Sequence, residues 1–174
     1  FHMTKDAICV EVFKGNRVDS GDINGLLIDG NMDDVGGSLL RVNSGVTCVS
    51  ACISGNSCIR GNDRPYVDVL SGGGMRNSSI TGNSFGGVQT DNDNHQADGV
   101  KFHSGSNTKS VTITGNSFAA SKDACINLDS AENISIVGNT FAKLFGDSSV
   151  AVLTDGGSGT IVGNTTDNLS IHSG

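Results

Sequence analysis

The chain has 174 residues, the length of one domain, with 25 glycines, one proline, no tryptophan, and 18 acids against 11 bases for a net charge of −7. That balance leaves no basic patch to release counterions from a polyanion, so nucleic acid and anionic membrane surfaces are not expected partners. No apolar run approaches ~18 residues and no signal peptide opens the chain, so no membrane insertion is expected.

Residues 1–25 fit the rest poorly. Gly15-Asn16 stands only 15 residues ahead of Gly30-Asn31, too close for a full turn of the repeat that occupies the remainder, so this segment is read as an irregular first coil or N-terminal cap. From residue 26 to 174 the repeat takes over. Ile28, Ile53, Ile80, Ile113, Ile136 and Ile161 each stand two residues ahead of a Gly-Asn pair, at intervals of 23 to 33 residues. The copies read ISGNSC (53–58), ITGNSF (80–85), ITGNSF (113–118), IVGNTF (136–141) and IVGNTT (161–166). Such a period marks a solenoid, whose units must stack to bury their apolar faces. The apolar positions alternate around β-branched residues, so the unit is β.

A second strand precedes each Ile-x-Gly-Asn element: LLRV (39–42), YVDV (66–69), VKF (100–102), INL (126–128) and VAV (150–152). Alternation points Leu40/Val42, Val67/Val69, Val100/Phe102, Ile126/Leu128 and Val150/Val152 inward. Three residues after each repeat glycine, Cys58, Phe85, Phe118 and Phe141 form an internal column. Asn56, Asn83, Asn116, Asn139 and Asn164 form another at the corner, where Asn tolerates left-handed backbone and its amide can bond the coils above and below. That ladder is read as holding turns, not ligand.

One coil is longer than the others. Eight or nine residues separate Cys58 from Val67, Phe118 from Ile126 and Phe141 from Val150, but 15 separate Phe85 from Val100. The excess makes an inserted loop at 86–97, and on a rigid scaffold such a loop is where binding and catalysis concentrate. With coils ~4.8 Å apart, outward residues at equal register form ladders. One runs Arg41, Asp68, Lys101, Asn127, Ala151, and its neighbour Asn43, Leu70, His103, Asp129, Leu153. His103 is then expected beside Asp129, and Lys101 between Asp68 and Asn127. Asp91, Asp93, His95 and Asp98 add acids and a second histidine from the insertion.

Two or three short parallel strands per turn, with apolar and Asn ladders, resemble the right-handed parallel β-helix of the pectin-lyase-like superfamily. Ala97-Asp98-Gly99-Val100-Lys101-Phe102 and Lys122-Asp123-Ala124-Cys125-Ile126 are similar to the Asp-Gly-Ile and Asp-Asp-Cys-Ile strings of its pectin hydrolases. The match covers some 70 residues. It departs where Asp123 is followed by Ala124, where the next coil has Asp147-Ser148-Ser149 for Gly-His-Gly, and where no arginine follows Arg76. A polygalacturonase is therefore rejected. The more general resemblance, in architecture and composition, is to bacteriophage tailspikes and capsule depolymerases.

The expected fold is thus an all-β, right-handed parallel β-helix of about six coils. The expected function is binding and cleavage of a bacterial surface polysaccharide, with Asp129, Asp93, Asp91, Asp98 and His103 as acid, base or nucleophile. Lys101, His95, Asn127, Asp68 and Arg41 are assigned to substrate. A retaining hydrolase needs two carboxyls ~5–5.5 Å apart and an inverting one ~6.5–9.5 Å; a lyase would use Lys101 or His103 as base. Hydrolase is ranked ahead of lyase. The plainer reading is that Asp68–Lys101 and His103–Asp129 are cross-strand pairs solvating a face. The alternative function is a structural or adhesive β-helix of a fibre or cell-surface protein, and the lack of aromatics for sugar stacking weighs on both.

No cofactor is expected. Asp91-Asn92-Asp93-Asn94-His95 opens like a calcium loop, but it lacks glycine at the sixth position and has Phe102 where a bidentate Glu is needed, so Ca²⁺ is kept as a minor alternative. Asp29-Gly30-Asn31-Met32-Asp33-Asp34 fails likewise, and no Cys/His spacing supports zinc. Five cysteines, Cys9, Cys48, Cys52, Cys58 and Cys125, are an odd count that reads as reduced core packing. Folding in a reducing cytoplasm is expected, with a final location in a virion tail or outside the cell. Both ends are expected to continue into something longer, and resemblance to tailspikes implies a homotrimer.

Overall fold

The computed structural model describes residues 10–12, 21–33, 37–58, 64–86, 98–119, 124–142, 150–166 and 170–173. These build a parallel β-solenoid of about five turns, without helix. Each turn contributes to three sheets. Sheet A stacks Val10–Val12, Leu40–Val42, Val67–Val69, Val100–Phe102, Ala124–Asp129, Val150–Asp155 and Ser170–Ser173 in chain order. Sheet B holds Gly21–Asn24, Leu27–Asp29, Val46–Val49, Cys52–Ser54, Gly74–Thr81, Lys109–Thr114, Ile134–Val137 and Gly159–Val162; sheet C runs from Met32–Asp33 to Thr165–Thr166. Val10–Val12 pairs in register with Leu40–Val42, and Gly21–Asn24 with Val46–Val49, so strands extend into the segment that the sequence sets apart as a cap.

The isoleucine column is continuous. Ile28, Ile53, Ile80, Ile113, Ile136 and Ile161 are successive register partners, and all but Ile161 are buried. Burying a side chain of this size is worth ~1.5–3 kcal/mol against leaving it exposed. Beside it stand Tyr66, Phe85, Phe118 and Phe141, with centroids 5.5, 5.2 and 5.2 Å apart, at the offset-stacking distance that aromatic quadrupoles favour.

The asparagine ladder holds the corner between sheets B and C. From Asn31 to Asn139, each residue donates both its backbone N–H and its Nδ2 to Oδ1 of the next asparagine at 2.8–3.0 Å. From Asn56 onward, Nδ2 also donates to an isoleucine carbonyl one turn back at 2.9–3.0 Å. The expected left-handed backbone falls on the preceding glycine instead: Gly55, Gly82, Gly115 and Gly138 have φ between 61 and 64°. The glycine turns the corner without a Cβ penalty, and the asparagine is left to satisfy the orphaned backbone groups.

One register differs from expectation. Ile126 pairs with Val152, not Val150, and Leu128 pairs with Thr154. The Val150–Asp155 strand of sheet A is therefore shifted by two residues. On this strand the outward ladders hold Leu153 and Asp155, where strict spacing predicts Ala151 and Leu153, and Leu153 pairs onward with His172.

Candidate functional site

The outer face of sheet A carries a run of charged and polar side chains. Alternation sends Val67, Val69, Val100, Phe102, Ile126 and Leu128 into the core, so Asp68, Lys101, Asn127 and Asp129 must face out. Arg41, Asp68, Lys101, Asn127 and Leu153 are successive register partners. Asn43, Leu70 and His103 follow one another at the next outward position, their backbone N–H groups each bonded to the turn before. Asp129 extends this second column and is the register partner of Asp155.

Although it faces outward, Asp68 is only 4% exposed. Its Oδ1 lies 2.8 Å from His103 Nε2 and its Oδ2 3.6 Å from Arg41 Nε. A carboxylate in its ionised form only accepts, so the tautomer that makes this bond to it is the one with the hydrogen on Nε2. Asp98, 3% exposed, has both oxygens engaged: Oδ1 accepts from the Ala124 N–H at 2.9 Å, and Oδ2 accepts from Asn127 Nδ2 at 3.0 Å and lies 3.3 Å from Lys101 Nζ. It ties the start of one strand of sheet A to the next.

Two side-chain atoms on this face are closed to solvent and make no hydrogen bond: Arg41 Nε, which ion-pairs with Asp68 Oδ2 instead, and Asn127 Oδ1. Leaving an acceptor such as Asn127 Oδ1 unpaired costs ~1–3 kcal/mol.

The sequence-derived residues thus fall into three groups. Arg41, Asp68 and His103 are brought together, as are Asp98, Lys101 and Asn127. Asp129 sits at the position next to His103. Asp91, Asp93 and His95, and with them the calcium-like loop, lie outside the described residues. The ion pairs themselves differ from expectation: Asp68 takes His103 and not Lys101, Lys101 takes Asp98, and no salt bridge joins His103 to Asp129. The reason is reach. Side chains lean along their strands, and a diagonal neighbour two residues along an adjacent strand is accessible to a long side chain.

Asp155 is the residue that sequence reasoning missed. Aligning Asp155 with Asp129 requires a polar residue, Thr154, in the inward column beside Leu128, so an alternation rule passes it over. Among the described residues, no group of three His, Cys, Asp or Glu side chains is placed to hold a metal ion. No helix there is long and apolar enough to cross a membrane.

The fold and this face define the class, a parallel β-solenoid with a polar network on one sheet. No family model, curated protein or solved structure matches the chain.

Proposed function

We propose that the chain is a carbohydrate-active β-solenoid, of the tailspike-depolymerase kind within the pectin-lyase-like superfamily, that binds and cleaves a bacterial surface polysaccharide on the outer face of sheet A. One observation carries this reading. Asp68, almost fully buried, holds the imidazole of His103 at 2.8 Å and ion-pairs with Arg41 Nε at 3.6 Å on the same face. A buried carboxylate that orients a part-exposed histidine is an acid–base arrangement, and a face of charged and amide side chains suits a ligand rich in hydroxyls. Tyr66 and the described phenylalanines are buried in the core, so hydrogen bonds and charge, not ring stacking, are what this face offers a sugar.

Hydrolysis is favoured over elimination because Asp129, half-buried at the position next to His103, adds a carboxylate. The polysaccharide acts as substrate or receptor, and a location in the virion tail or outside the cell, with assembly as a homotrimer, belongs to the same proposal. The second reading, adhesion without cleavage, is favoured by the engagement of Asp98 in backbone support.

The test is incubation with purified capsular and O-antigen polysaccharides. Release of reducing ends is expected, with His103→Ala lowering the rate by ~10²–10⁴-fold. An unsaturated uronate product reassigns the chemistry to a lyase. Retention on the polysaccharide in affinity electrophoresis without products establishes adhesion, and neither binding nor cleavage across the panel overturns the reading.

A further inference from the structure

We infer that Arg41 is a positioning residue for His103, acting through Asp68, an inference that rests on the carbohydrate-cleaving function proposed above and takes Arg41 away from the substrate. The three side chains belong to successive strands of sheet A: Leu40–Val42, Val67–Val69, and Val100–Phe102 with the residue that follows it. Asp68 stands in the middle. Its Oδ1 lies 2.8 Å from His103 Nε2 and its Oδ2 3.6 Å from Arg41 Nε, so its two oxygens face opposite neighbours.

The Asp68 side chain is 5% exposed, and that of His103 is 35% exposed. A carboxylate so enclosed is costly to leave without a countercharge. A histidine in acid–base work gains and loses a positive charge in every turnover, so it compensates Asp68 for only part of the cycle. Arginine stays charged throughout, and Arg41 Nε, closed to solvent and without a hydrogen bond, has Asp68 as its ion-pair partner. The guanidinium therefore keeps the carboxylate ionised and fixed while the imidazole changes state. The other charged groups nearby are placed differently. Lys101 is the register partner of Asp68, but its Nζ pairs with Asp98 Oδ2 at 3.3 Å. Glu11, the register partner of Arg41 on its other side, is exposed and accepts from Asn43 Nδ2 at 2.9 Å. Asp129, at the position next to His103, forms no salt bridge with it.

Two opposed effects meet at the imidazole. Asp68 favours the protonated ring, and Arg41, two strands away, opposes it. Two strand spacings come to ~9–10 Å. Across that distance, a positive charge near a protein surface lowers the proton affinity of the ring about tenfold. Without Arg41 the ring would hold its proton more tightly and serve less well as a base near neutrality. With Arg41 present, His103 takes a proton in one half of the cycle and gives it back in the other, and Asp68 is never left uncompensated. An Arg41 that served the substrate alone would weaken binding without moving the titration of the ring.

The experiment follows the imidazole of His103 in the full chain by heteronuclear NMR across a pH series, with His103→Gln to assign its signals. Arg41→Met is expected to raise the titration midpoint of the ring by about one pH unit. Arg41→Lys, which keeps the charge, is expected to leave the midpoint near the parent's, and Asp68→Asn to lower it. Thermal unfolding reports whether each variant folds, and Arg41→Gln supplies the uncharged side chain if the methionine variant does not. On a polysaccharide that the parent cleaves, the neutral Arg41 variant should move the acidic limb of kcat/KM to higher pH by the same amount, because a base is lost as pH falls through its midpoint. Its KM should stay within about threefold of the parent's, and Arg41→Lys should restore the parent profile. A midpoint that stays in place or falls when Arg41 is neutralised overturns the inference. Loss of affinity-electrophoretic retention with an unmoved limb also overturns it and returns Arg41 to the substrate. A raised midpoint in a chain that neither binds nor cleaves any polysaccharide of the panel upholds the coupling and overturns the carbohydrate reading.

Discussion

Cys48 shows how far the interior of this solenoid departs from water. Its side chain is 0% exposed, and burial pushes its thiol up from 9.0 to about 11, because a thiolate there would lose its hydration. Between those values the folded chain keeps a proton that the unfolded chain gives up. Stability from this residue is therefore complete below pH 9 and declines as pH rises toward 11. Each tenfold change in proton affinity is worth ~1.4 kcal/mol, so the whole effect is at most about 3 kcal/mol. Urea unfolding at pH 8.5 and 10.5 should show a smaller loss of midpoint for Cys48→Val than for the parent; equal losses would show that Cys48 contributes nothing. Under native conditions at pH 8 a thiol reagent is expected to leave Cys48 unmodified and to label half-buried Cys52, since reaction needs an accessible thiolate.

At the scale of the strand, the short sheet C strands have little of their own to hold them, and the aromatic column supplies it. Phe118 lies between Phe85 and Phe141 with ring centroids 5.2 Å away on each side. Phe118→Ala removes both contacts and leaves a cavity, for an expected loss of ~3–5 kcal/mol. Phe118→Leu fills much of the space and should cost less than half as much by chemical denaturation. Costs below ~1 kcal/mol for both would show that the column is not what fixes these strands. The three phenylalanines of this column and the isoleucine ladder were legible because each turn repeats the same string, and period-two alternation then fixes which side faces in; Tyr66, stacked on Phe85, lies outside that string. Legibility failed where alternation is ambiguous. Val150-Ala151-Val152-Leu153-Thr154 can be set against Ile126 and Leu128 in two ways, and the apolar choice is the wrong one. The cavity-lining Thr154 occupies the inward column and carries Asp155 to the side of Asp129. The face of the candidate site could likewise be read from strand alternation, but its bonds could not. Same-register ladders place Asp68 with Lys101, whereas the carboxylate reaches along the strand to His103.

Across the whole molecule, stability in a solenoid is approximately a sum of repeat terms and interfaces between neighbours, so a strand packed closely on both sides is held more firmly than one packed on a single side. Lys109–Thr114 lies between Gly74–Thr81 and Ile134–Val137, and its Val111 and Ile113 are 1% and 0% exposed. Gly159–Val162 is the last described strand of sheet B and pairs on one side only. Its Ile161 is half-buried and its Val162 is 50% exposed. Beneath it a cavity of about 220 Å³ is lined by Leu128, Ile134, Ile136, Thr154 and Ile161 with the glycines and hydroxyl residues of 157–160. Missing contacts on one side of those apolar walls forfeit dispersion energy that the central turns keep. Local opening should therefore begin at this end. In native-state hydrogen exchange the amides of Ile161 and Thr165 are expected to exchange at least ~100-fold faster than those of Ile113 and Phe118, equivalent to about 2.7 kcal/mol of opening free energy. Uniform protection from Gly74 to Thr166 would mean instead that the turns open as one cooperative unit, and that the cavity is no weak point.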